Sequence, residues 1–446
     1  MEFIGILGML IAIAIMIIGA YRGLQAIPLT ILAALAVIFT NGLPLWDTFA
    51  KIYASGFGGT ITAYFFIFVS SAVYALIMEK TGCAAAIGYK FIDWFGTKYV
   101  MLVSLLFVSV LTYGGVSLFV VIFATMPILF LLFKEAGLPR HAIFAPLVAG
   151  SSAYTMTTLP GTPALTNVIP SQFLGTPMTA APVFSIILGI VFFLLCYGYC
   201  LLAEKQCRKK GEVWSYPESY DAAALEVDRS KLPKAGIAFT PIVVLIVFIV
   251  GSSLLKLPYA ADAALLTTLA MLIATILCIV MNLGRLSVKG VKDMIGKGSL
   301  NGISAIVGLA AVVAFGGVVS SSPAFKSIVS WVLGLNMSAY FKGVFSTGVI
   351  AGITGSSSGG VRIMLQSIGD YLIQSGANLE VMHRLVAVAA GSLDTLPHSP
   401  GIFLTMAMLG LTHKEAYKHI FWTTVGIPTV LVIVATAIAT VVWPVA

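Results

Sequence analysis

Charged residues are scarce in this chain: they make up 9% of its 446 residues, whereas 59% are hydrophobic. An ordinary soluble domain is roughly a quarter charged, so this composition excludes a water-soluble fold, which cannot hide so much apolar surface. Cysteine is also scarce, and the five cysteines lie scattered in or beside apolar runs. That placement argues against a disulfide framework or a thiolate metal site. No Gly-x-x-x-x-Gly-Lys-Ser/Thr sequence occurs, which argues against an ATP-driven pump.

Long apolar runs are what the chain has instead. Each is long enough, at about 1.5 Å per residue, to cross a hydrocarbon layer of about 30 Å. We therefore expect an all-α polytopic membrane protein with about ten to fourteen membrane-embedded helices. The runs are Phe3–Tyr21, Ile61–Met78, Val100–Val121, Val183–Ala203, Ile237–Leu255, Ala263–Asn282, Gly302–Val319 and Phe421–Val442.

The basic residues follow membrane topology rather than a nucleic-acid surface, although the formal net charge is +8. They cluster between Lys205 and Lys210 and between Arg285 and Lys297, and the positive-inside rule puts both segments in the cytoplasm. Neither the first 21 residues nor the residues after Lys418 contain Lys or Arg. Both termini are therefore expected outside, and each half crosses the membrane an odd number of times. The expected partner is the lipid bilayer, with no nucleic acid.

A polar stretch divides the chain near its middle. It contains two X-Pro pairs and mixed charge, which is typical of a linker. We accordingly predict a first membrane repeat over residues 1–203, a cytoplasmic linker over 204–235 and a second membrane repeat over 236–446.

The two halves share a motif. Thr158–Ala164 reads TLPGTPA and Thr395–Gly401 reads TLPHSPG, and four of the seven positions are identical. Flanking marks occur in the same order in both halves: Gly114-Gly115-Val116 corresponds to Gly359-Gly360-Val361, and Gly150-Ser151 corresponds to Gly391-Ser392. Because the halves cross an odd number of times in succession, the second repeat is expected to be inverted relative to the first.

These motifs predict re-entrant helical hairpins, around 140–170 and around 383–410, together with discontinuous helices. Irregular backbone at membrane depth is tolerated only around a cavity, and the half-helix ends it creates bind anions such as carboxylates. The alternative is that the prolines only kink spanning helices, and the duplication favours hairpins over that alternative. The expected substrate-binding residues are Thr158, Gly161, Thr162 and Asn167 from the first half and Gly359, Gly360, Thr395 and Ser399 from the second.

Ionisable residues inside apolar segments are candidates for function. Asp394 and His398 are candidate proton carriers, and Arg362 is a candidate clamp for a substrate carboxylate. The structural alternatives are that Asp394 caps the next half-helix, that His398 makes a structural hydrogen bond, and that Arg362 pairs with Asp370 or reaches the membrane interface. Sodium coupling through unwound Gly/Ser backbone and a passive anion channel stay open. An enzyme is not expected, since Gly355–Gly359 fits Gly-x-Ser-x-Gly without a preceding strand. No metal and no cofactor is expected beyond a coupling proton or sodium ion.

The same residues resemble those of a known family. Leu159–Ala164 with Asn167, and Leu393–His398 leading into Gly410–Lys418, are similar to motifs of the gluconate permease (GntP) family of proton/organic-acid symporters, within the ion transporter superfamily. The resemblance implies proton-coupled import of a small hydroxy- or amino-carboxylate, such as a sugar acid, a D-amino acid or a hydroxybutyrate-like acid. It also implies a bacterial inner membrane location, a homodimer and elevator-like alternating access. The first turn lacks the His-Pro pairing of the sugar-acid members, which leaves a smaller or less hydroxylated acid open.

Overall fold

The computed structural model describes residues 2–113, 118–162, 164–216, 229–255 and 257–444, and these residues form helices with no strand. The predicted flanking mark Gly114-Gly115-Val116 and Pro163 of the first motif lie outside the described residues. The helices of the first half are α1 (Glu2–Tyr21), α2 (Ala26–Thr40), α3 (Leu45–Asp47), α4 (Ala54–Lys80), α5 (Cys83–Phe95), α6 (Val100–Tyr113), α7 (Leu118–Glu135), α8 (Phe144–Ser152), α9 (Tyr154–Thr157), α10 (Leu165–Leu174) and α11 (Pro182–Lys209). Those of the second half are α12 (Ala235–Leu254), α13 (Ala263–Met281), α14 (Val288–Ser321), α15 (Pro323–Gly334), α16 (Ala339–Thr354), α17 (Ser357–Gln374), α18 (Leu379–Leu393), α19 (Pro400–Leu409), α20 (His413–Ile420) and α21 (Ile427–Val442).

Seven helical segments of the described chain are long and apolar enough to cross a membrane, or eight if α5 and α6, bent by 102° where they meet, count as one span. The bend falls at Gly96, whose φ of 71° ends α5. The predicted all-helical membrane architecture is confirmed. Fewer helices cross the membrane in full than the ten to fourteen expected to be embedded, because several embedded segments are shorter apolar helices such as α2 and α19. The seven segments are Phe3–Tyr21, Leu45–Lys80, Pro182–Lys209, Ala235–Ser252, Ala264–Met281, Val288–Ser321 and His413–Val442.

Large apolar side chains cover the outer helices. Val183 of α11 is 71% exposed and Val247 of α12 is 62% exposed. Such a surface would be costly in water but faces acyl chains without penalty in a bilayer. The exposure pattern therefore fits a protein embedded in lipid.

The longest helix, α14, crosses α4 at backbone contact. A Cβ atom at Gly302 would lie 2.7 Å from the carbonyl oxygen of Phe68, and one at Gly298 would lie 2.7 Å from Cα of Val73. Small residues that let two membrane helices approach in this way increase their van der Waals contact. The two glycines thus fix α4 and α14 against each other.

Two pairs of short helices enclose the duplicated motifs. In the first half, α8 and α9 lead into an irregular turn at residues 158–162, and α10 begins at Leu165. In the second half, α18 ends at Leu393, a turn follows, and α19 starts at Pro400. Helices therefore stop at the two Leu-Pro motifs, as the proline and glycine content predicts. Helix α11 continues to Lys209, so the predicted linker begins inside it, and Val213–Tyr216 follow as irregular chain.

Candidate functional site

The first turn is held by buried hydroxyl groups. Thr158 is fully buried and its Oγ1 donates to the carbonyl oxygen of Tyr154 at 2.8 Å. Gly161 has a φ of +79°, a conformation that L residues with side chains rarely adopt, and its N–H donates to the carbonyl of Met178 at 3.0 Å. Thr162 is also buried, and its Oγ1 has no hydrogen-bond partner among the described residues. The turn therefore keeps one buried hydroxyl unpaired.

Asn167 braces this turn. Its Nδ2 donates to the carbonyls of Thr162, at 2.8 Å, and Met178, at 2.9 Å. Its Oδ1 accepts from Nε2 of His383 at 2.8 Å, and Nδ1 of His383 then accepts from Thr176 Oγ1 at 2.7 Å. The arrangement fixes one neutral tautomer of His383. Since every polar atom of Asn167 has a protein partner, this predicted site residue positions the turn.

Helix α18 joins the first half through three polar residues spaced on one helical face, Glu380, His383 and Arg384. Glu380 accepts a hydrogen bond from the backbone N–H of Ala181 at 2.7 Å. These side chains tie α18 to the first half through five buried or half-buried hydrogen bonds, two of them to the first hairpin itself, at Asn167 and Thr157.

Arg384 is fully buried beside the first turn. Its Nε donates to Ser185 Oγ at 2.7 Å and its Nη1 donates to the carbonyl of Thr157 at 2.9 Å. Its Nη2 is buried with no partner among the described residues, and no carboxylate there forms an ion pair with it. A buried cation without a counter-charge is costly and marks a functional position in a membrane protein. Arg384 is not among the site residues predicted from the sequence, although an arginine within the apolar run Val381–Leu393 is itself a signal.

Arg362, the predicted anion clamp, has a different position. It lies exposed on α17 and makes no hydrogen bond or ion pair with the rest of the described chain, Asp370 included. An exposed guanidinium attracts anions weakly because water screens its charge. Arg384 is thus the arginine that the fold brings to the turns.

The second turn packs against a break between α16 and α17. Gly355 ends α16 with a φ of +62°, and Ser356 caps α17 by accepting from the N–H of Gly359 at 3.2 Å. Ser399 Oγ donates to the carbonyl of Gly355 at 3.2 Å. A Cβ atom at Gly355 would lie 3.2 Å from Cα of Ser399. The break and the turn are therefore in direct contact.

Gly359 and Gly360, just after this break, have packing and capping roles. A Cβ at Gly360 would lie 2.5 Å from Cα of Ala351, so the glycine lets α17 pack on α16. The N–H of Gly359 is already bound by Ser356. Both glycines thus lie in the first turn of α17, with packing and capping contacts.

Both titratable residues of the second turn keep an unpaired polar atom. Oδ1 of Asp394 and Nδ1 of His398 are buried without a hydrogen-bond partner among the described residues. The hydroxyl of Ser357, in the first turn of α17, faces the Asp394 carboxyl. Nε2 of His398 donates to the carbonyl of Ile353 at 3.3 Å. Asp394 and His398 therefore both lie against the break between α16 and α17. Each can take up a proton at its unpaired atom without losing a hydrogen bond there.

Two side chains of helix α20 donate hydrogen bonds to backbone carbonyls of the second turn. Tyr417 donates its hydroxyl to the carbonyl of Thr395 at 3.1 Å, and His413 donates Nε2–H to the carbonyl of Pro397 at 2.9 Å. Thr395 Oγ1 lies 2.7 Å from Thr424 Oγ1. Two residues of the C-terminal motif Gly410–Lys418 thus hold the turn in place.

The helical segments that lead into the two turns are in contact. A Cβ at Gly391, one helical turn before Asp394, would lie 2.8 Å from Cγ2 of Thr157, which directly precedes Thr158. The duplicated motifs are therefore neighbours in the fold.

A cavity of about 790 Å³ lies elsewhere, between α2, α4, α7 and α14 on one side and α19 on the other. None of the predicted site residues lines it. It reaches His413, whose ring holds the second turn. The cavity separates the second hairpin from the helices around the α4–α14 pair.

Comparison with known proteins agrees with this architecture. The family model of the GntP family permeases matches residues 4–445. An uncharacterized transporter of Bacillus subtilis (strain 168), YxjC, is 31% identical over 445 residues, covering 92% of this chain and 94% of the relative. With its many apolar helices and its paired Leu-Pro turns, the chain belongs to the GntP permease family of membrane transporters.

Proposed function

We propose that this permease imports a small organic carboxylate by proton symport, at a site where the Thr158–Thr162 and Asp394–Ser399 turns meet. The observation that carries the proposal is Arg384: a buried guanidinium with an unpaired Nη2 lies against the first turn. A carboxylate is the ligand that suits a buried cationic N–H group left unpaired in this way.

The proposed substrate contacts combine that guanidinium with polar groups of both turns. The unpaired hydroxyl of Thr162 and the half-helix start at Ser399 supply donors of the kind that bind anions. Thr158, Gly161 and Asn167 shape the first turn, and Thr395, Gly359 and Gly360 shape the second. Arg362 is replaced in this scheme by Arg384.

Asp394 and His398 are the proposed proton carriers. Each has a buried unpaired atom beside the same backbone break. Proton uptake from the acidic side would neutralise Asp394, and its release on the other side would reset the cycle. The Ser357 hydroxyl facing Asp394 supports the carboxyl in either state.

The experiment is uptake into proteoliposomes, with a panel of sugar acids, hydroxy acids and D-amino acids first screened by counterflow. Accumulation driven by an inward proton gradient, unchanged by sodium, is the expected result. Accumulation that follows sodium and ignores pH would select sodium coupling, and flux that never exceeds equilibrium would select a passive channel.

Two matched pairs of variants assign the roles. Arg384→Met is expected to abolish counterflow, whereas Arg362→Met, an exposed arginine of the same half, should keep it. Asp394→Asn should keep counterflow and lose proton-driven accumulation, whereas Asp370→Asn on the surface of α17 should keep both. Undiminished proton-driven uptake in both Asp394→Asn and His398→Gln would remove the proton-carrier assignment.

The family relationship extends the proposal to a bacterial inner (plasma) membrane location, a homodimer and an elevator-like movement of the two hairpins. Static light scattering of the detergent-solubilised protein tests the dimer. A monomeric mass would contradict it.

A further inference from the structure

One group of three residues of metal-binding type converges within the described chain, away from both turns. His141 lies at the foot of the first hairpin, and Cys207 and Glu212 lie at the end of α11. One ligand atom of each residue lies within 4.8 Å of the other two. By the positive-inside rule the adjacent basic residues put this group at the cytoplasmic surface.

Local backbone geometry brings two of the three side chains, those of Cys207 and Glu212, close to each other. Gly211 has a φ of +67°, its N–H donates to the carbonyl of Arg208 at 3.2 Å, and the N–H of Glu212 donates to the carbonyl of Cys207 at 3.0 Å. This pair of bonds is a Schellman motif, which ends helix α11 and folds the next residue back over its last turn. The carboxylate of Glu212 is thereby brought beside the thiol of Cys207.

A hydrogen-bond chain orients the third side chain. Nδ1 of His141 lies 3.0 Å from Nε2 of His419, and Nδ1 of His419 lies 3.0 Å from the hydroxyl of Tyr199. The Tyr199 hydroxyl also reaches the carbonyl of Lys418, at 3.3 Å. On its other side, Nε2 of His141 lies 3.0 Å from Oε2 of Glu212.

The chain has two consistent proton arrangements. In one, Tyr199 donates to His419, His419 to His141, and His141 to the Glu212 carboxylate. In the other, Tyr199 donates to the Lys418 carbonyl, His419 donates to Tyr199, and His141 donates to His419. Nε2 of His141 is then a bare lone pair that faces a carboxylate. Two acceptors in that position are stable only when a cation joins them.

We propose that His141 Nε2, Cys207 Sγ and Glu212 Oε2 bind a divalent transition-metal ion of the zinc type. Nitrogen, thiolate and carboxylate are all zinc ligands, and one thiolate with one carboxylate balances the charge of the ion. His141 and Glu212 are partly exposed, with 15% and 31% of their side chains accessible, so water can fill a fourth position. The bond from His141 Nδ1 to His419 is the outer contact that metal-bound histidines typically make.

Two of the three ligands are already in suitable states, whereas burial favours the protonated form of the Cys207 thiol, so a bound ion must displace that proton. Burial and the nearby Lys418 lower the pKa of His141, against the opposing effect of Glu212, which keeps the ring neutral near pH 7. The pKa of Glu212 is also lowered, since its contacts with Cys207, His141 and the two lysines outweigh its partial burial. Lys210 lies 3.7 Å from the other oxygen of Glu212 and leaves Oε2 free for the ion.

The cysteine spacing in the sequence argued against a thiolate site because these ligands come from two distant segments. Metal binding there would tie the start of the first hairpin to the end of α11, and it would stabilise the fold by an amount that grows with the logarithm of the ion's excess over its Kd. The site does not depend on the transported substrate, so transport and metal binding can fail separately.

The test titrates the purified full chain with Co²⁺ and then Zn²⁺. We expect one ion per chain, a thiolate-to-cobalt charge-transfer band that zinc abolishes, and a rise in the thermal unfolding temperature that a chelator reverses. Cys207→Ala and Glu212→Gln should weaken binding at least tenfold, and Cys207→Ala should lose the band. Cys200→Ala removes another buried thiol of the same helix, outside the group, and should bind as the wild type does.

His419→Gln probes the outer contact: it should weaken zinc binding about 10–100-fold and leave the charge-transfer band in place. Stoichiometric binding without a thiolate band, binding unchanged in Glu212→Gln, or no binding at all would overturn the proposal. Each of these results would mean that the chain from Tyr199 to Glu212 is held by hydrogen bonds alone, with no metal ion. Glu212→Gln alters a partly exposed residue, so it tests the site even if Cys207→Ala fails to fold.

Discussion

The contact between Gly391 and Thr157 can be tested with two substitutions, one that creates a steric clash and one that relieves it. An alanine at position 391 would put its Cβ 2.8 Å from Cγ2 of Thr157, and carbon atoms need about 3.5–4.0 Å. Thr157 cannot easily turn away, because its Oγ1 donates to the carbonyl of Ala153 at 2.9 Å and its own carbonyl accepts from Arg384. Gly391→Ala is therefore expected to overpack the interface between the hairpins and to destabilise the fold by about 1–3 kcal/mol.

The second substitution of this cycle removes only the clashing methyl group. Thr157→Ser keeps the hydroxyl and its bond to Ala153, and by itself should cost about 0.5–1.5 kcal/mol, as the loss of one buried methyl does. The double variant should be more stable than Gly391→Ala alone, which corresponds to a favourable coupling of about 1–2 kcal/mol.

Thermal unfolding in detergent and counterflow in proteoliposomes would measure stability and function for all four chains of the cycle. Gly348→Ala is a control on the neighbouring helix α16, where the nearest atom to the added Cβ is 3.6 Å away. Purely additive effects of Gly391→Ala and Thr157→Ser would refute the proposed contact between the two hairpins.

Three further predictions follow from contacts described above. His383→Ala should destabilise the chain by about 2–4 kcal/mol in detergent melting, because Asn167 Oδ1 and Thr176 Oγ1 each lose a buried partner; a melting temperature like that of the wild type would contradict it. Gly302→Ala should cost more than Gly308→Ala on the same helix, since the first meets the backbone of Phe68 at 2.7 Å and the second meets nothing within 4 Å. Stability should fall as the pH drops below the ordinary His141 pKa of 6.5, because burial and Lys418 lower that pKa in the folded chain and the unfolded chain then binds more protons. His141→Asn should reduce the slope of the unfolding profile in that range, and an unchanged slope would show that His141 does not contribute to it.

The membrane architecture and the two turns could be predicted from the sequence because both have local signals. Apolar runs of sufficient length define spans, and proline and glycine at 158–163 and 395–401 stop helices wherever they lie. The sequence marks both Arg362 and Arg384 as charges within apolar segments, but it does not show which of them reaches the turns. Arg362 follows a glycine pair that suggests an unwound segment. The position of Arg384 beside the first turn depends on its bonds to Ser185 and Thr157, which lie about two hundred residues earlier in the chain.

Other features were hidden for related reasons. Asn167 was recognised as part of the first turn, but its role as a brace depends on His383, which only the fold brings near. The end of α11 at Lys209 did have a local signal, Gly211, although the polar composition of the preceding turn obscured it. Side-chain roles that depend on long-range partners cannot be read from a single sequence.

The polar face of α18 has a mechanical consequence. Pulling α18 away from the first half would break five hydrogen bonds, and in a nonpolar medium their donors and acceptors would find no water to replace the lost partners. The cavity beside α19 is lined by both apolar and polar groups and leaves open space between the second hairpin and α4, α7 and α14. Sliding along its apolar parts exchanges one set of weak contacts for another. Large movements in this protein should therefore displace the paired hairpins as one rigid block along that boundary.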